Sequence, residues 1–117
     1  MKRESRTAAK LTSKSFHIMV ALAASPLHGY AIKQEVESRT AGSVRLWPAT
    51  LYGLLAELSE HGLIRETDSP GGADDDPRRR YYELTIMGRK TLRAEAERLE
   101  SLAKIARQNL SLGKAGA

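Results

Sequence analysis

The sequence predicts a mainly α-helical fold with one small β-hairpin and a long C-terminal helix. Apolar residues recur at helical spacing in three segments before residue 62. Two short β-prone segments, 63–67 and 80–84, enclose a loop rich in Pro, Gly and Asp, which is typical of a hairpin. After residue 85, Leu and Ala alternate at spacings of four and three, as in a coiled-coil seam. We therefore divide the chain into a flexible basic tail (1–10), a folded domain (11–84), the long helix (85–112) and a second tail (113–117).

The composition limits the size of the protein and the nature of its partners. With 117 residues the chain can bury one modest core. The net charge of +5 favours an anionic partner such as a nucleic acid, with simple solubility as the alternative explanation. The absence of Cys excludes disulfides and thiolate metal sites. No apolar run approaches the ~20 residues of a membrane span and no signal peptide opens the sequence, so we expect a cytoplasmic protein without a membrane partner.

The first helix is predicted over residues 11–25, where Thr12 or Ser13 can cap its start. Its apolar residues fall on two faces, one with Leu11, Ile18 and Leu22, the other with Phe16, Met19, Val20 and Ala23. A helix that is apolar on two faces is usually buried on both sides. In so small a domain, a partner subunit could cover the second face.

The second helix is predicted from about His28, after a turn in the segment SPLHGY. The pattern makes four of its side chains candidates for burial, namely Tyr30, Ile32, Val36 and the stem of Arg39. Ala41 and Gly42 end this helix. The segment SVRL that follows is β-prone and predicts a short strand.

The third helix is predicted to begin at Pro48, because proline favours the first position of a helix. Its inward stripe is formed by Leu51, Leu54, Leu55 and Leu58, and Gly62 ends it. On the opposite face the end near Pro48 is small and uncharged. Such a face suits close approach to a large partner.

The hairpin carries the unusual run ADDDPRRRYYELT, residues 73–85. The predicted register places Arg78–Arg80 where the hairpin returns to the domain and Asp74–Asp76 at its tip. Tyr81 and Tyr82 alternate across the strand, so we expect one to pack on the core. The other is expected to cover the outer face or to touch a sugar-phosphate backbone.

The last helix, which Thr85 can cap, is predicted to pair with a second copy of itself, because its apolar seam has no obvious partner in so small a chain. Phe16 of the first helix is expected to add to this contact. The residues predicted for dimerisation are Leu92, Ala96, Leu99, Leu102, Ala103, Ala106, Leu110 and Phe16.

The predicted order is helix, helix, short strand, helix, hairpin and long helix, which is that of a winged helix-turn-helix with an added C-terminal helix. In this fold the third helix would enter the DNA major groove by its N-terminal end. The hairpin is the wing, with its arginines within reach of phosphates. DNA contacts are therefore expected from Pro48, Ala49, Thr50, Tyr52, Gly53, Arg78, Arg79, Arg80 and Lys14.

Three motifs in order, HGYAIKQEVE, TLYGLLAELSEHGLI and RRRYYELTIMGRKTL, resemble the signatures of PadR-like transcriptional regulators. The resemblance implies a homodimeric bacterial regulator, usually a repressor, that binds an inverted-repeat operator in double-stranded DNA. It also implies a possible small aromatic or drug-like effector. By position, Tyr30, Thr50, Tyr52 and the wing arginines match residues that face DNA. The sequence departs from the family at Trp47 and Ala49, where such proteins often have Ser and Gly.

Each candidate also has a purely structural alternative. The arginines could be neutralised by the neighbouring acids, Thr50 could satisfy the helix start, and Tyr52 could rest on the hairpin. Trp47 could be a packed residue, or it could stack on an effector.

Other functions find little support in the sequence. The three His residues are scattered and the acids at 74–76 are consecutive, so no metal site is predicted. No nucleophile–base–acid set or phosphate loop is present, and we expect neither an enzyme nor a cofactor. The rival hypothesis is a winged helix that serves as a protein-interaction module without binding DNA.

Overall fold

A computed structural model describes residues 11–72 and 76–114 of the chain. These residues form a mainly helical fold with a small sheet and a long C-terminal helix, so the predicted fold class is confirmed. The predicted N-terminal tail, Asp74 and Asp75 at the wing tip, and residues 115–117 lie outside the described residues. The elements in chain order are α1 (Ser13–Ala24), β1 (Leu27–His28), α2 (Gly29–Arg39), α3 (Pro48–Glu60), β2 (Ile64–Thr67), β3 (Tyr81–Leu84) and α4 (Ile86–Lys114).

The described strands form one antiparallel sheet in the order β1-β3-β2. Strand β3 pairs with β2 across the hairpin, from Ile64 opposite Leu84 to Thr67 opposite Tyr81. Its other edge pairs with β1, where Leu27 lies opposite Tyr82 and His28 opposite Tyr81. The sheet thus ties the base of the wing to the start of α2.

The predicted strand in the segment SVRL is wrong, because residues 43–46 have no strand. The third strand is instead β1, in the segment predicted as a turn. Leu46 is buried and Val44 packs partly against the core. The apolar residues that make SVRL β-prone therefore serve the core, and the segment pairs with none of the described strands. Strand β1 forms because β3 offers it a free edge, which local sequence does not reveal.

The core lies between the helices and the inner face of the sheet. In the predicted inward stripe of α3, Leu51, Leu55 and Leu58 are buried and Leu54 packs partly against the core. In α1, Ile18, Met19 and Leu22 are buried, while Phe16, Val20 and Ala23 of the second predicted face are half-buried. Helix α1 packs against α2, β3 and α4. The buried apolar residues are Ile18, Met19, Ala21, Leu22, Ile32, Val36, Leu46, Leu51, Leu55, Leu58, Leu63, Ile64, Tyr82 and Leu84.

One of the four burial predictions for α2 is wrong. Ile32 and Val36 are buried, but Tyr30 is 60% exposed. Tyr30 precedes Ile32 by two residues, which places it about 200° away around the helix. The Arg39 side chain is half-exposed, and its Nε donates to Glu35 Oε2 at 2.6 Å. One stripe of α2 faces the core.

Side-chain caps fix three helix starts. Thr12 Oγ1 accepts from the Ser15 N–H at 3.1 Å in α1, and His28 Nδ1 accepts from the Ala31 N–H at 3.2 Å in α2. The predicted cap of α4 is confirmed, since Thr85 Oγ1 accepts from the Gly88 N–H at 2.9 Å. Helix α3 begins at Pro48, as predicted, after Trp47 and without a side-chain cap.

Helix α4 is anchored to the hairpin at its first turn and runs to Lys114, two residues beyond the predicted end. Thr85 Oγ1 donates to Gly62 O at 2.6 Å. Gly88 has no Cβ, and a Cβ there would collide with the carbonyl oxygen of Leu63. Leu92 packs partly against the core, and the helix beyond it projects from the domain. Among the described residues, no helix is both long and apolar enough to cross a membrane.

Candidate nucleic-acid interface

The start of α3 presents the small, uncharged surface that the sequence predicts. The candidate residues of this helix are all exposed, namely Pro48, Ala49, Thr50, Tyr52 and Gly53. Thr50 and Tyr52 are two residues apart, so they point to opposite flanks of the exposed face, about 200° apart. A large partner could thus contact this end of the helix from both flanks.

Tyr52 lies directly against the start of α2. A Cβ atom on Gly29 would come within 2.5 Å of the Tyr52 hydroxyl oxygen and 3.0 Å of its Cζ. Because residue 29 has no side chain, the phenol ring of Tyr52 can occupy this space. Tyr52 remains 53% exposed, so much of the residue is open to a partner.

The wing arginines lie at the surface, and two of them are held by carboxylates. Arg80 Nη1 lies 3.2 Å from both carboxylate oxygens of Glu66. Arg78 donates through Nε and Nη2 to Asp76, each at 3.1 Å, and the Arg78 N–H donates to the same carboxylate at 2.9 Å. These pairs are exposed, and solvent screening leaves such pairs worth only about 0–1 kcal/mol each. A phosphate could therefore replace either carboxylate at small cost.

One open cavity of about 420 Å³ brings the wing and the helix-turn-helix together. Its lining contains three arginines, two tyrosine phenols and one imidazole, and it contains no carboxylate residue. Cations and hydroxyl donors around an open concave surface suit the phosphate and sugar groups of a nucleic acid. The lining residues are His28, Gly29, Tyr30, Tyr52, Arg78, Arg79 and Arg80.

The structure therefore brings five of the predicted DNA-binding residues together, namely Tyr30, Tyr52 and Arg78–Arg80. The other candidates of α3 lie on the adjoining helix surface, and Lys14 is exposed on α1 without lining the cavity. His28 and Gly29 are lining residues that the sequence did not predict. The motif HGY contained them, but only the pairing of β1 with β3 places them beside the wing.

The two tyrosines of β3 face opposite sides of the sheet, as predicted. Tyr82 is buried, and this burial raises the pKa of its hydroxyl, with the nearby Glu66 charge adding to the shift. Tyr81 is half-buried, and its ring meets the edge of the His28 ring at a centroid distance of 5.3 Å and an angle of 89°. Tyr81 thus covers the outer face and supports the imidazole that caps α2.

The remaining predicted residues lie elsewhere on the surface. Trp47 is 61% exposed at the start of α3, so the alternative in which it is a packed residue is wrong. Phe16 is half-buried, with its ring edge-on to His17 at 5.8 Å. Within residues 11–72 and 76–114, no group of three or more His, Asp or Glu residues could hold a metal ion.

The predicted dimerisation seam is largely uncovered in the single chain. Leu92 and Ala103 are half-buried, while Ala96 and Ala106 are exposed. The large apolar side chains farther along α4 are also exposed, namely Leu99, Leu102, Ile105 and Leu110.

Comparison with known proteins shows the family of the chain. Residues 18–94, about two thirds of the chain, match the family model described as the transcriptional regulator PadR-like family. The chain belongs to the PadR-like family of transcriptional regulators. Enzymatic activity is not a property of this class of protein, and the family resemblance seen in the sequence is confirmed.

Three relatives show how similar this PadR-like chain is to known proteins in sequence and fold. It is 38% identical over 86 residues to an uncharacterised 37.1 kDa protein in transposon TN4556 of Streptomyces fradiae, covering 74% of this chain and 23% of that protein. A PadR family transcription regulator from Clostridium difficile R20291 has a TM-score of 0.68 at 25% identity, covering 82% of this chain and 96% of that chain. PadR from Bacillus subtilis, solved in complex with operator DNA, shares the fold with a TM-score of 0.62 at 20% identity, covering 74% of this chain and 48% of that chain.

Proposed function

We propose that this PadR-like protein is a homodimeric repressor that binds an inverted-repeat operator in double-stranded DNA. The observation that carries the proposal is the cavity in which Tyr30, Tyr52 and the arginines of the wing face one opening beside the exposed start of α3. A regulator of this family needs a surface of this kind, which presents positive charge and donors next to a helix end that can enter a groove. The operator complex of the Bacillus subtilis relative supports the same assignment.

The proposed contacts with DNA are of two kinds. Arg78–Arg80 bind backbone phosphates and supply most of the affinity, with Lys14 as a further cation. The start of α3 faces the bases, but residues 48–53 include no Arg, Lys, Asn or Gln for bidentate base contacts. Specificity then comes from the methyl groups of Ala49 and Thr50 against thymine methyls, from the Tyr52 hydroxyl, and from DNA shape.

The apolar seam of α4 supports the homodimer. Leu99, Leu102 and Ile105 expose large side chains on a helix that projects from the domain. A second copy would cover them through a twofold contact, as self-complementary surfaces do. Two recognition helices related by a twofold axis read an inverted repeat. A dimer would therefore cover the seam and would require an operator of two symmetric half-sites.

The proposal also includes a small aromatic effector, which the family resemblance implies. The exposed indole of Trp47 offers a flat surface on which an aromatic ring could stack. Because Trp47 adjoins the recognition helix, a ligand stacked there would compete directly with DNA.

The wing arginines test the DNA-binding function through the salt dependence of binding. The variant Arg78→Ala/Arg79→Ala/Arg80→Ala should bind all sequences more weakly than the wild type. Each lost phosphate contact removes about 0.9 from the slope of log K against log salt, so a dimer losing two per subunit should change the slope by roughly 4. The measurement is fluorescence anisotropy of labelled DNA from upstream of the protein's own gene, from about 50 to 200 mM salt.

A matched control removes the same charge from another element. Arg93, Lys104 and Arg107 are exposed on α4, and replacing all three by Ala should leave the slope nearly unchanged. Wild-type protein that shows no salt-dependent binding to its upstream DNA or to random DNA would contradict the proposal. The protein-interaction module would then be the better explanation of the α3 surface.

A further inference from the structure

The segment between α2 and α3 displays two side chains away from the core. Along residues 43–47 the chain alternates, with Leu46 buried and Val44 packed partly against the core, while Arg45 and Trp47 are exposed. The segment belongs to no helix or strand, and its last residue, Trp47, has an extended backbone with φ −68° and ψ 150°. Arg45 and Trp47 are thus both exposed immediately before the recognition helix.

Hydrogen bonds hold this segment in place. The Leu46 N–H donates to Glu37 Oε2 at 3.2 Å, and the Val44 N–H donates to Thr40 Oγ1 at 3.1 Å. Glu37 is itself bound by Lys33 Nζ at 3.0 Å. The hydrogen bond from Lys33 lowers the pKa of Glu37, and the bond from Leu46 adds to this effect, so the carboxylate is charged at neutral pH. Arg45 and Trp47 are therefore presented by an anchored backbone.

The chemistry of the two side chains points to an anionic partner. None of the hydrogen bonds or ion pairs among the described residues engages the Arg45 guanidinium. Trp47 exposes 61% of a large flat ring that carries one N–H donor. The stretch from Ser43 to Thr50 includes no acidic residue. The charge of Arg45 also lowers the pKa of Glu37, so the guanidinium lies within electrostatic reach of that carboxylate but forms no ion pair with it. An exposed cation two residues from an exposed ring and N–H donor matches the phosphate and deoxyribose of a DNA backbone.

The position of the pair makes it distinct from the wing. Neither Arg45 nor Trp47 lines the cavity that contains Tyr52 and the wing arginines. Trp47 is the residue before Pro48, next to the exposed Thr50, whose side chain points to the flank of α3 away from Tyr52. DNA seated on the start of α3 would therefore meet the wing beside one flank and the Arg45–Trp47 pair at the helix start.

We propose that Arg45 and Trp47 form a second contact with the DNA backbone, separate from the wing. Arg45 binds a phosphate, and Trp47 packs its ring on a deoxyribose and donates its indole N–H to a phosphate oxygen. This inference rests on the proposed DNA-binding function. It assigns to Trp47 a role in holding α3 in the groove.

Trp47 is the only tryptophan of the chain, so its fluorescence reports directly on the contact. Titration of wild-type protein with unlabelled upstream DNA should shift or quench the emission, because the ring moves from water to the DNA surface. Arg45→Ala should weaken binding and reduce the salt slope by about 2 for a dimer that loses one phosphate contact per subunit. Trp47→Ala should weaken operator binding about five- to 150-fold, the loss of one hydrogen-bonded contact in each half-site.

Two further variants separate the roles and control for charge. Trp47→Phe keeps an apolar ring and loses the N–H donor, so its affinity should lie between those of the wild type and Trp47→Ala. Lys104→Ala removes one exposed cation from α4 and should leave affinity and salt slope unchanged. Circular dichroism should show folded protein throughout, since the exchanged side chains are exposed.

The outcomes distinguish this inference from the function on which it rests. If wild-type protein binds its operator while Arg45→Ala and Trp47→Ala keep wild-type affinity and slope, and the tryptophan emission is unchanged by DNA, the second contact is refuted and the DNA-binding function stands. If wild-type protein binds no DNA, both are overturned. Weaker binding by Arg45→Ala and Trp47→Ala, a reduced slope for Arg45→Ala and a DNA-dependent change in emission together support the second contact.

Discussion

Gly29 determines where the phenol ring of Tyr52 can lie. Any Cβ at residue 29 would sit 2.5 Å from the Tyr52 hydroxyl oxygen, far closer than van der Waals contact allows. The described backbone does not have a positive φ at this position, so alanine can adopt its conformation. The glycine is therefore needed for the room that it leaves to a side chain on another helix.

We expect Gly29→Ala to weaken operator binding while the protein stays folded. The added methyl group displaces the end of a flexible, half-exposed side chain, which can swing into solvent, so the melting temperature should change little. The loss of one contact in each half-site costs roughly 1–3 kcal/mol for the dimer, or about five- to 150-fold in affinity. Tyr52→Ala should have a similar effect, and the double variant should lose no more than either single one.

Anisotropy titrations of the two single variants and the double variant check this expectation. Gly113→Ala is the matched control, since a methyl group there meets no atom within 4 Å and lies near the end of α4. Strictly additive losses in the double variant would mean that the methyl group at residue 29 acts on something other than Tyr52.

At the scale of elements, the wing contains carboxylates that compete with phosphate for its arginines. Glu66 on β2 pairs with Arg80 across the hairpin. The Asp76 carboxylate accepts hydrogen bonds from the Arg78 guanidinium, through Nε and Nη2, and from the Arg78 backbone N–H. Each arginine must leave its carboxylate before it binds a phosphate. The affinity of Arg78 and Arg80 for phosphate is thus reduced by the strength of these two pairs.

We expect Glu66→Gln to tighten DNA binding. Exposed pairs contribute about 0.2–1 kcal/mol each, so releasing one per subunit should raise the affinity of a dimer about two- to thirtyfold. The gain should be largest at low salt and similar for operator and random DNA, because it concerns phosphate contacts.

Glu83→Gln serves as the control for net charge, because Glu83 forms a comparable pair with Arg65 on the same hairpin at 2.8 Å. Arg65 is not among the residues that line the cavity, so this variant should gain little affinity. Equal gains for both variants would show that overall charge, and not release of Arg80, accounts for the effect.

At the scale of the whole molecule, α4 makes the single chain unusually extended. The described structure measures 63 × 40 × 24 Å, and much of its length comes from a helix of 29 residues. Leu99 is 39% exposed and Leu102 is 48% exposed on a part of the helix that lies beyond the packed Leu92. Stable helices in proteins depend mainly on packing of an apolar face, so a second copy would stabilise this segment.

We expect Leu99→Glu/Leu102→Glu to give a folded monomer that binds the operator poorly. Both side chains lie outside the core, so the winged domain should keep its structure, while buried charge would prevent pairing of the seams. Sedimentation velocity measures the oligomeric state, and circular dichroism measures the fold. A double variant that remains a dimer with wild-type operator affinity would rule out this interface.

Lys104→Glu is the matched control for this change. Lys104 is exposed, and it lies about 140–160° around the helix from Leu99 and Leu102. A reversed charge on that side should leave the dimer intact.

The sequence by itself determined the elements whose signals are local. The spacing of leucines in α3, the Pro48 start and the Thr85 cap each depend on residues within a few positions of one another, and the structure has all three. The charge run likewise indicated a wing, because turn residues and β-prone flanks are adjacent in the chain. Family membership followed from the same short motifs.

Only the tertiary structure decided which segments pair and which side chains share a surface. Strand β1 exists because β3 has a free edge, and the β-prone SVRL segment stays unpaired because its apolar side chains are needed in the core. Tyr30 is exposed because only one narrow stripe of α2 packs against the core. Pairing and burial depend on contacts between residues far apart in sequence, so short-range periodicity predicted helices and a hairpin but not the cavity that joins His28, Tyr52 and Arg80.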